Sequence, residues 1–245
     1  MSVMMTIEEA LIPALLPPPV AGFCTSRIGG VSGPPYDSLN LGGACGDDQT
    51  AVEQNRRRVC SLLPAAPCWL RQVHGNHVVH LDQWQPGLEA DAAWTDRPGQ
   101  VVAVLTADCL PILVGDPDGH CVAAIHAGWR GLAAGVIERC IAALPARPND
   151  LKAWIGPRIC AEHYEVDASV RTAFEEVPEA FSPTRPGHWL ADLPAIAVKQ
   201  LLATGIETVT DSAICTAEGT SFFSYRRDGC TGRMATLAWI ESVNS

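Results

Sequence analysis

Two reactive side chains stand at the ends of apolar runs in residues 105–131, LTADCLPILVGDPDGHCVAAIHAGWRG: Cys109 before the first run and His126 near the close of the second. Between the runs lies the turn Asp116-Pro117-Asp118-Gly119. A regular hairpin folded about Pro117-Asp118 sets position 109 opposite position 126, with Cβ atoms roughly 5 Å apart. The same Pro-Asp-Gly sequence also suits a turn with a bulged glycine. That form shifts the pairing by one residue and puts the two side chains on opposite faces. Pro111 has no amide hydrogen for a ladder, so the strand is predicted to break over 107–110 and to aim Asp108 and Cys109 into a cleft.

A thiol beside an imidazole supports two chemistries. Cys109 is a nucleophile if His126 takes its proton and backbone amides near the kink hold an oxyanion. It is a metal ligand if a second imidazole joins. His74 offers one from a turn where Gly75 lets the backbone approach its neighbours closely. Two imidazoles and a thiolate suit zinc well and copper less selectively, and three protein ligands leave the fourth position open, as in catalytic sites. The readings conflict, because a metal-bound thiolate is neutralised. The spacing is not that of a zinc finger, so residue types alone also allow a surface His74 and a buried free cysteine beside unrelated histidines. Copper oxidation of phenols needs more imidazoles than this chain supplies: it has seven histidines, five of them dispersed at 77, 80, 120, 163 and 188.

The elements that must position these groups are read from pattern. A strand over 20–26 leads into a glycine-rich loop, 27–35, that closes near Asn40. It is either a long connection or a substrate loop with Arg27 and Asn40 as polar contacts. A helix should follow Asp47 and Asp48 and run to about 63, with Thr50 and Glu53 at capping-box spacing and most of Arg56, Arg57 and Arg58 in solvent. Strands are expected at 68–73 and 76–81, around His74. The hairpin strands are nearly continuous apolar runs, as in a sheet buried on both faces. After them come a helix over 131–144, a strand over 151–155, helices over 167–176 and 192–204 (the last stopped by Gly205), and strands at 206–210, 212–216, 222–225 and 233–240. A charged turn, Arg226-Arg227-Asp228-Gly229, precedes the final strand. The sum is an α+β fold, one domain over 1–245, with mixed β-sheets flanked by helices.

Composition limits the partners. The net charge is -10, which argues against a nucleic-acid backbone but leaves room for a small anionic substrate held by local arginines. The apolar run LIPALLPPPVAGF is broken by prolines and preceded by Glu8 and Glu9, so it reads as neither export signal nor membrane span. Ten scattered cysteines without a CxxC pair fit reduced thiols and a cytoplasmic setting. Monomer and homodimer are both open.

The segments TADCLPIL and AAIHAGWRGLAAG, with WLRQVHG upstream, resemble the laccase-domain (polyphenol-oxidase, YfiH-like) family, also called the peptidoglycan-editing-factor or purine nucleoside phosphorylase family. GGVSGPPYDSLNLG, AWIGPRICAEHYEV, Cys215-Thr216 and FFSYRRDGCTGRMATL extend the likeness over nearly the whole chain. Departures are Asp167, where the family often has glycine, and Ala93-Trp94 in place of an aliphatic pair. The resemblance implies a metal site, usually zinc with copper as the alternative, at His74, Cys109 and His126. It implies phosphorolysis of adenosine, inosine, guanosine or methylthioadenosine, and deamination of adenosine. Cell-wall precursor editing by a cysteine amidohydrolase is the second implied activity, and the fold is expected to resemble that of deamidating toxins. In that frame Gln72 of the WLRQVHG motif joins the substrate contacts, and Arg27, Arg130, Arg226 and Arg227 are candidates for phosphate. Asp108 would orient a ligand or shuttle a proton, or else cap the kinked backbone.

Overall fold

The computed structural model describes residues 6–242, so the outermost ends of the expected domain, 1–5 and 243–245, lie outside the described residues. In chain order the elements are β1 (Ile12–Pro13), β2 (Val20–Cys24), α1 (Gln49–Cys60), β3 (Val78–His80), β4 (Ala92–Thr95), β5 (Val102–Thr106), β6 (Leu110–Gly115) and β7 (Val122–Ala127). The second half adds α2 (Trp129–Ala133), α3 (Val136–Ala143), β8 (Lys152–Ile155), β9 (Glu165–Asp167), α4 (Ala168–Thr172), β10 (Phe181–Arg185), β11 (His188–Ala191), α5 (Leu193–Ala203), β12 (Thr208–Asp211), α6 (Tyr225–Asp228) and β13 (Met234–Ile240).

Among the described residues these strands form three sheets, ordered β12-β8-β6-β7-β4-β3, β1-β2-β13-β5 and β10-β11-β9. The pairs β12–β8 and β3–β4 are parallel and the others antiparallel. The six-stranded sheet is covered on both faces, which is why β6 and β7 are apolar without alternation. Ile112 and Ile125 pack against Ile137 and Ile141 of α3 and Ile196 and Leu201 of α5. Leu113, Ala124 and Trp154 on the other face meet Val104, Met234 and Ala238 of the four-stranded sheet. That sheet in turn buries Phe23, Ala103 and Leu237 against Leu39, Leu41 and Val59 of α1 and its approach. The mixed α+β architecture with helices flanking the sheets is the expected one.

Several elements differ from expectation for identifiable reasons. Residues 68–73 make only isolated bridges, Cys68 with Val102 and Arg71 with Glu89, and strand β3 is confined to Val78–His80. The helix expected over 131–144 is two helices, α2 and α3, because Gly135 adopts φ 76° between them. The capping box at Thr50 is not used: Asp48 caps α1 by accepting from Thr50 and Ala51 N–H. α4 ends at Thr172, well short of 176. Residues 212–216 form a bridge only, and the strand expected at 222–225 gives way to the short helix α6, which also absorbs the charged turn. Asp192 caps α5, and Gly205 follows it at φ 99° as its position predicted. No described helix is long and apolar enough to cross a membrane.

Candidate metal and active site

The chain changes sheets between β5 and β6, and Cys109 sits in that crossing. Its neighbour Asp108 holds φ 94°, a conformation that costs roughly 1–3 kcal/mol for a residue with a side chain. Three bonds maintain it. The Asp108 carbonyl accepts from Ile159 N–H (2.9 Å), and its carboxylate accepts from Thr216 Oγ1 (2.7 Å) and Arg226 N–H (2.6 Å). The carboxylate is therefore engaged in fixing the kink and the start of α6. The hairpin register pairs Pro111 with His126 and Leu110 with Ala127, two residues away from the simple ladder. The turn takes four residues, 117–120, between the Asp116 and Cys121 positions, whose N–H and carbonyl still bond. An even displacement preserves side-chain phase, so position 109 stays in step with His126. Pro111 is thus tolerated inside a central strand, with its carbonyl accepting from Gly156 N–H.

His74 is brought in by a second strained turn, at φ 60°. The N–H groups of Val73 (3.2 Å), His74 (2.9 Å) and Gly75 (2.7 Å) all donate to the carboxylate of Asp91, forming a nest around it. The same carboxylate accepts from His126 Nδ1 at 2.8 Å. One fully buried acid therefore fixes both the backbone of His74 and the ring of His126. With the Nδ1 proton assigned to that bond, Nε2 of His126 is left for the cluster. The two rings meet edge to face, with centroids 4.8 Å apart. Gly128 closes the site: a Cβ there would lie 2.9 Å from Cys109 Sγ and 3.1 Å from His74 Cδ2.

The electrostatics follow from this arrangement. Burial would push the Cys109 thiol up, but His126 and then His74 outweigh it and bring it down to about 6. Burial would push His126 down, but the Cys109 thiolate and Asp91 raise it to about 9. Burial pushes Asp91 up, and the bonds from His126 and the nest more than offset this, leaving it below its ordinary value. A thiolate and an imidazolium face each other at neutral pH. One ligand atom each from His74, Cys109 and His126 lies within 4.8 Å of the others. Tetrahedral zinc with bonds of about 2.0–2.3 Å requires ligand atoms roughly 3.3–3.7 Å apart. Two imidazoles and a thiolate are a donor set that suits that ion, and Asp91 is the kind of outer carboxylate that orients a ligating imidazole.

These residues line a pocket of about 890 Å³. Gln72, Asp108, Arg130 and Arg226 line it too; Arg27, Asn40 and Arg227 do not. Gln72 uses its side-chain amide on both backbone groups of Leu105, at 2.8 and 2.7 Å. Arg27 is paired with Asp37 and lies over Phe223. Asn40 is wholly buried, bonded to Gly42, Asp47 and Arg233, and pins the glycine-rich loop together with Asn55 of α1. Arg227 spends its guanidinium on the carbonyls of Thr216, Gly219 and Phe222 and on Asp228. The pocket lining holds five arginines: Arg71 pairs with Glu89, whereas Arg56, Arg130, Arg226 and Arg233 are in no ion pair among the described residues, although Arg56, Arg226 and Arg233 donate to backbone carbonyls. Arg130 lies over Trp129 (4.4 Å), Arg226 over Tyr164 (4.8 Å) and Arg56 over Trp69 (4.5 Å). Asp91, Trp129, Tyr164, Arg56 and Arg233 were not among the residues singled out from sequence. Asp91 had one signal, a carboxylate between alanines beside apolar runs, where burial demands a partner.

Residues 21–241 of this α+β fold match the model of a family described as multi-copper polyphenol oxidoreductase laccase. The chain belongs to that family. It is 46% identical over 242 residues to the purine nucleoside phosphorylase YfiH of Escherichia coli K12, covering 96% of this chain and 100% of that protein. It is 46% identical over 231 residues to the purine nucleoside phosphorylase PA4543 of Pseudomonas aeruginosa, covering 92% and 95%. The crystal structure of Neisseria meningitidis protein NMB0706 superposes with a TM-score of 0.90 at 42% identity, over 95% of this chain and 100% of that one. That of YlmD from Geobacillus stearothermophilus gives 0.85 at 32% identity, over 91% and 92%.

Proposed function

We propose that the chain is a purine nucleoside phosphorylase with adenosine deaminase activity, built on a zinc site of His74, Cys109 and His126. The observation that carries this reading is the pairing, in one pocket, of that three-donor cluster with arginines that have no carboxylate partner. Phosphorolysis forms a bond from a phosphate oxygen to C1′ of the ribose and breaks the C1′–N9 bond. The purine leaves with the bonding electrons and takes up a proton. In this reading Arg130 holds the phosphate dianion, helped by the N–H groups of Arg226 that are not donated to the His163 and Glu165 carbonyls, and the two guanidinium groups lie over Trp129 and Tyr164. The indole and phenol surfaces of the same pocket offer flat apolar area to a purine. Zinc, when bound, supplies Lewis-acid stabilisation of developing negative charge. Asp91 holds His126 in the tautomer that presents Nε2, and the nest it forms fixes His74. The ten cysteines are unpaired, in keeping with a reducing, cytoplasmic setting. A multinuclear copper site is not adopted, because the cluster offers two imidazoles; His77, His80, His120 and His188 bond elsewhere.

A second reading has its own observation. In metal-free protein the Cys109 thiolate is a nucleophile, the His126 imidazolium a proton donor to the leaving amine and Asp91, bonded to His126 Nδ1, its orienting acid, which equips the pair for amide hydrolysis of a cell-wall precursor, the reading to which a deamidating-toxin likeness belongs. Zinc-replete protein incubated with adenosine and phosphate separates the two. Adenine with ribose 1-phosphate, together with inosine, is expected. Absence of both products overturns the first reading, and activity on amides that rises on chelation favours the second.

A further inference from the structure

We infer that Cys160, His163, Cys215 and Glu218 form a second, closed zinc site, separate from the pocket cluster and independent of the reaction proposed above. One donor atom from each lies within 4.8 Å of the others. His163 Nδ1 is 3.1 Å from Cys160 Sγ, 3.7 Å from Cys215 Sγ and 3.8 Å from Glu218 Oε1, and Cys160 Sγ is 3.8 Å from Glu218 Oε1. Those separations are already close to the edges of a zinc tetrahedron, roughly 3.3–3.8 Å.

The two halves have the short ligand spacing of zinc knuckles, Cys-x2-His and Cys-x2-Glu. They come together because their loops leave the parallel neighbours β8 and β12. Arg158 N–H donates to the Ile214 carbonyl and Thr216 N–H to the Arg158 carbonyl, which locks the loops side by side. Cys160 N–H donates to Cys215 Sγ at 3.3 Å, the kind of amide bond that favours a thiolate. Four protein donors leave no open position, so the ion is structural. Cys215 is buried, while His163 and Glu218 reach solvent, which gives the ion an entry path.

The consequence lies in what these loops carry. Thr216, next to Cys215, bonds the Asp108 carboxylate; Ile159, next to Cys160, bonds the Asp108 carbonyl; and the His163 carbonyl accepts from Arg226. An ion here staples the two loops that hold the Cys109 kink and one pocket arginine.

The test is zinc content of protein saturated with zinc and freed of excess by gel filtration. Two equivalents per chain are expected in the parent, one in His74→Ala, and one in Cys160→Ser/Cys215→Ser. Cobalt substituted into His74→Ala should show thiolate-to-metal absorption that disappears when Cys160→Ser and Cys215→Ser are both added. Should the double variant fail to fold, Glu218→Gln alters only an exposed side chain and should weaken second-site zinc by at least about tenfold in a chelator competition. One equivalent in the parent that is lost in His74→Ala, a second equivalent that survives the cysteine changes, unchanged affinity in Glu218→Gln, or a Cys160–Cys215 disulfide in zinc-grown protein overturns the site.

Discussion

Replacing Asp91 by asparagine tests the joint of the pocket cluster, because four donors converge on its carboxylate. Oδ2 accepts from Val73 and Gly75 N–H, and Oδ1 from His74 N–H and His126 Nδ1. An amide has one acceptor and one donor, so either orientation turns an NH2 toward two of those donors. If it faces Val73 and Gly75, two bonds to a charged acceptor are lost in a buried setting, at about 1.5–3 kcal/mol each. The expected destabilisation is therefore about 3–6 kcal/mol before relaxation. If it faces His74 and His126 instead, the imidazole must give up its Nδ1 proton and carry it on Nε2, where it cannot ligate. Either way zinc affinity should fall by about 10–100-fold. Chemical denaturation of metal-free protein reads the first effect, and zinc competition with a chromophoric chelator the second. The acid side carries a sign. Asp91 is lowered in the folded state, so its stabilisation is fully present above the unfolded carboxylate value of about 3.9 and is lost as pH falls through the folded one. Asp91→Asn should remove that branch of the acid denaturation profile. A variant within about 0.5 kcal/mol of the parent, with unchanged zinc affinity, would refute the assignment of Asp91 as the organising residue.

Three further outcomes are expected. Arg130→Ala should raise the KM for phosphate by about tenfold with little change in stability, whereas Arg227→Ala should lower the denaturation midpoint and leave that KM alone, since its guanidinium serves backbone carbonyls; the reverse pattern in steady-state kinetics and melting would contradict the placement. In metal-free protein Cys109 should be alkylated by iodoacetamide at pH 7 well before the buried thiols Cys24 and Cys140, which burial pushes up to about 12, with a rate that declines as pH falls through about 6. Mass spectrometry of the labelled peptides checks the order, and uniform labelling would count against the thiolate–imidazolium pair. Gly128→Ala should weaken zinc binding without unfolding the chain, because its φ of -79° suits any residue while its Cβ would press on Cys109 Sγ and His74; zinc retention equal to the parent would show that the cluster has room to spare.

Much of the frame was legible because it rests on local pattern. The unbroken apolar runs of β6 and β7 announced a sheet covered on both sides, and Pro111 announced the break that exposes Cys109. Asp192 and Gly205 bracketed α5. What escaped depends on contacts distant in sequence. The sheet β9–β11 went unseen because its strands are short, largely exposed and interrupted by Pro183, Pro186 and Gly187. The hairpin register could not be fixed because Asp116-Pro117-Asp118-Gly119 is compatible with several loop lengths, and the four-residue one prevailed. Asp91 carried only the signal of a carboxylate beside apolar runs, because its role exists only once the His74 turn and the end of β7 meet around it. The arginines illustrate the same limit. Arg27, Arg130, Arg226 and Arg227 look equally available in sequence; the fold ties Arg27 to Asp37, Arg227 to three carbonyls and Asp228, and Arg226 in part to the His163 and Glu165 carbonyls, leaving Arg130 as the one of the four whose guanidinium has no hydrogen-bond partner among the described residues.

The most direct test of the account is a phosphate-dependence measurement on zinc-replete protein with inosine, following hypoxanthine and ribose 1-phosphate by chromatography alongside a Cys109→Ala control. Equal amounts of the two products are expected, formed only with phosphate present and abolished in the control. Hypoxanthine released with free ribose in the absence of phosphate, or equal turnover by the control, would contradict it.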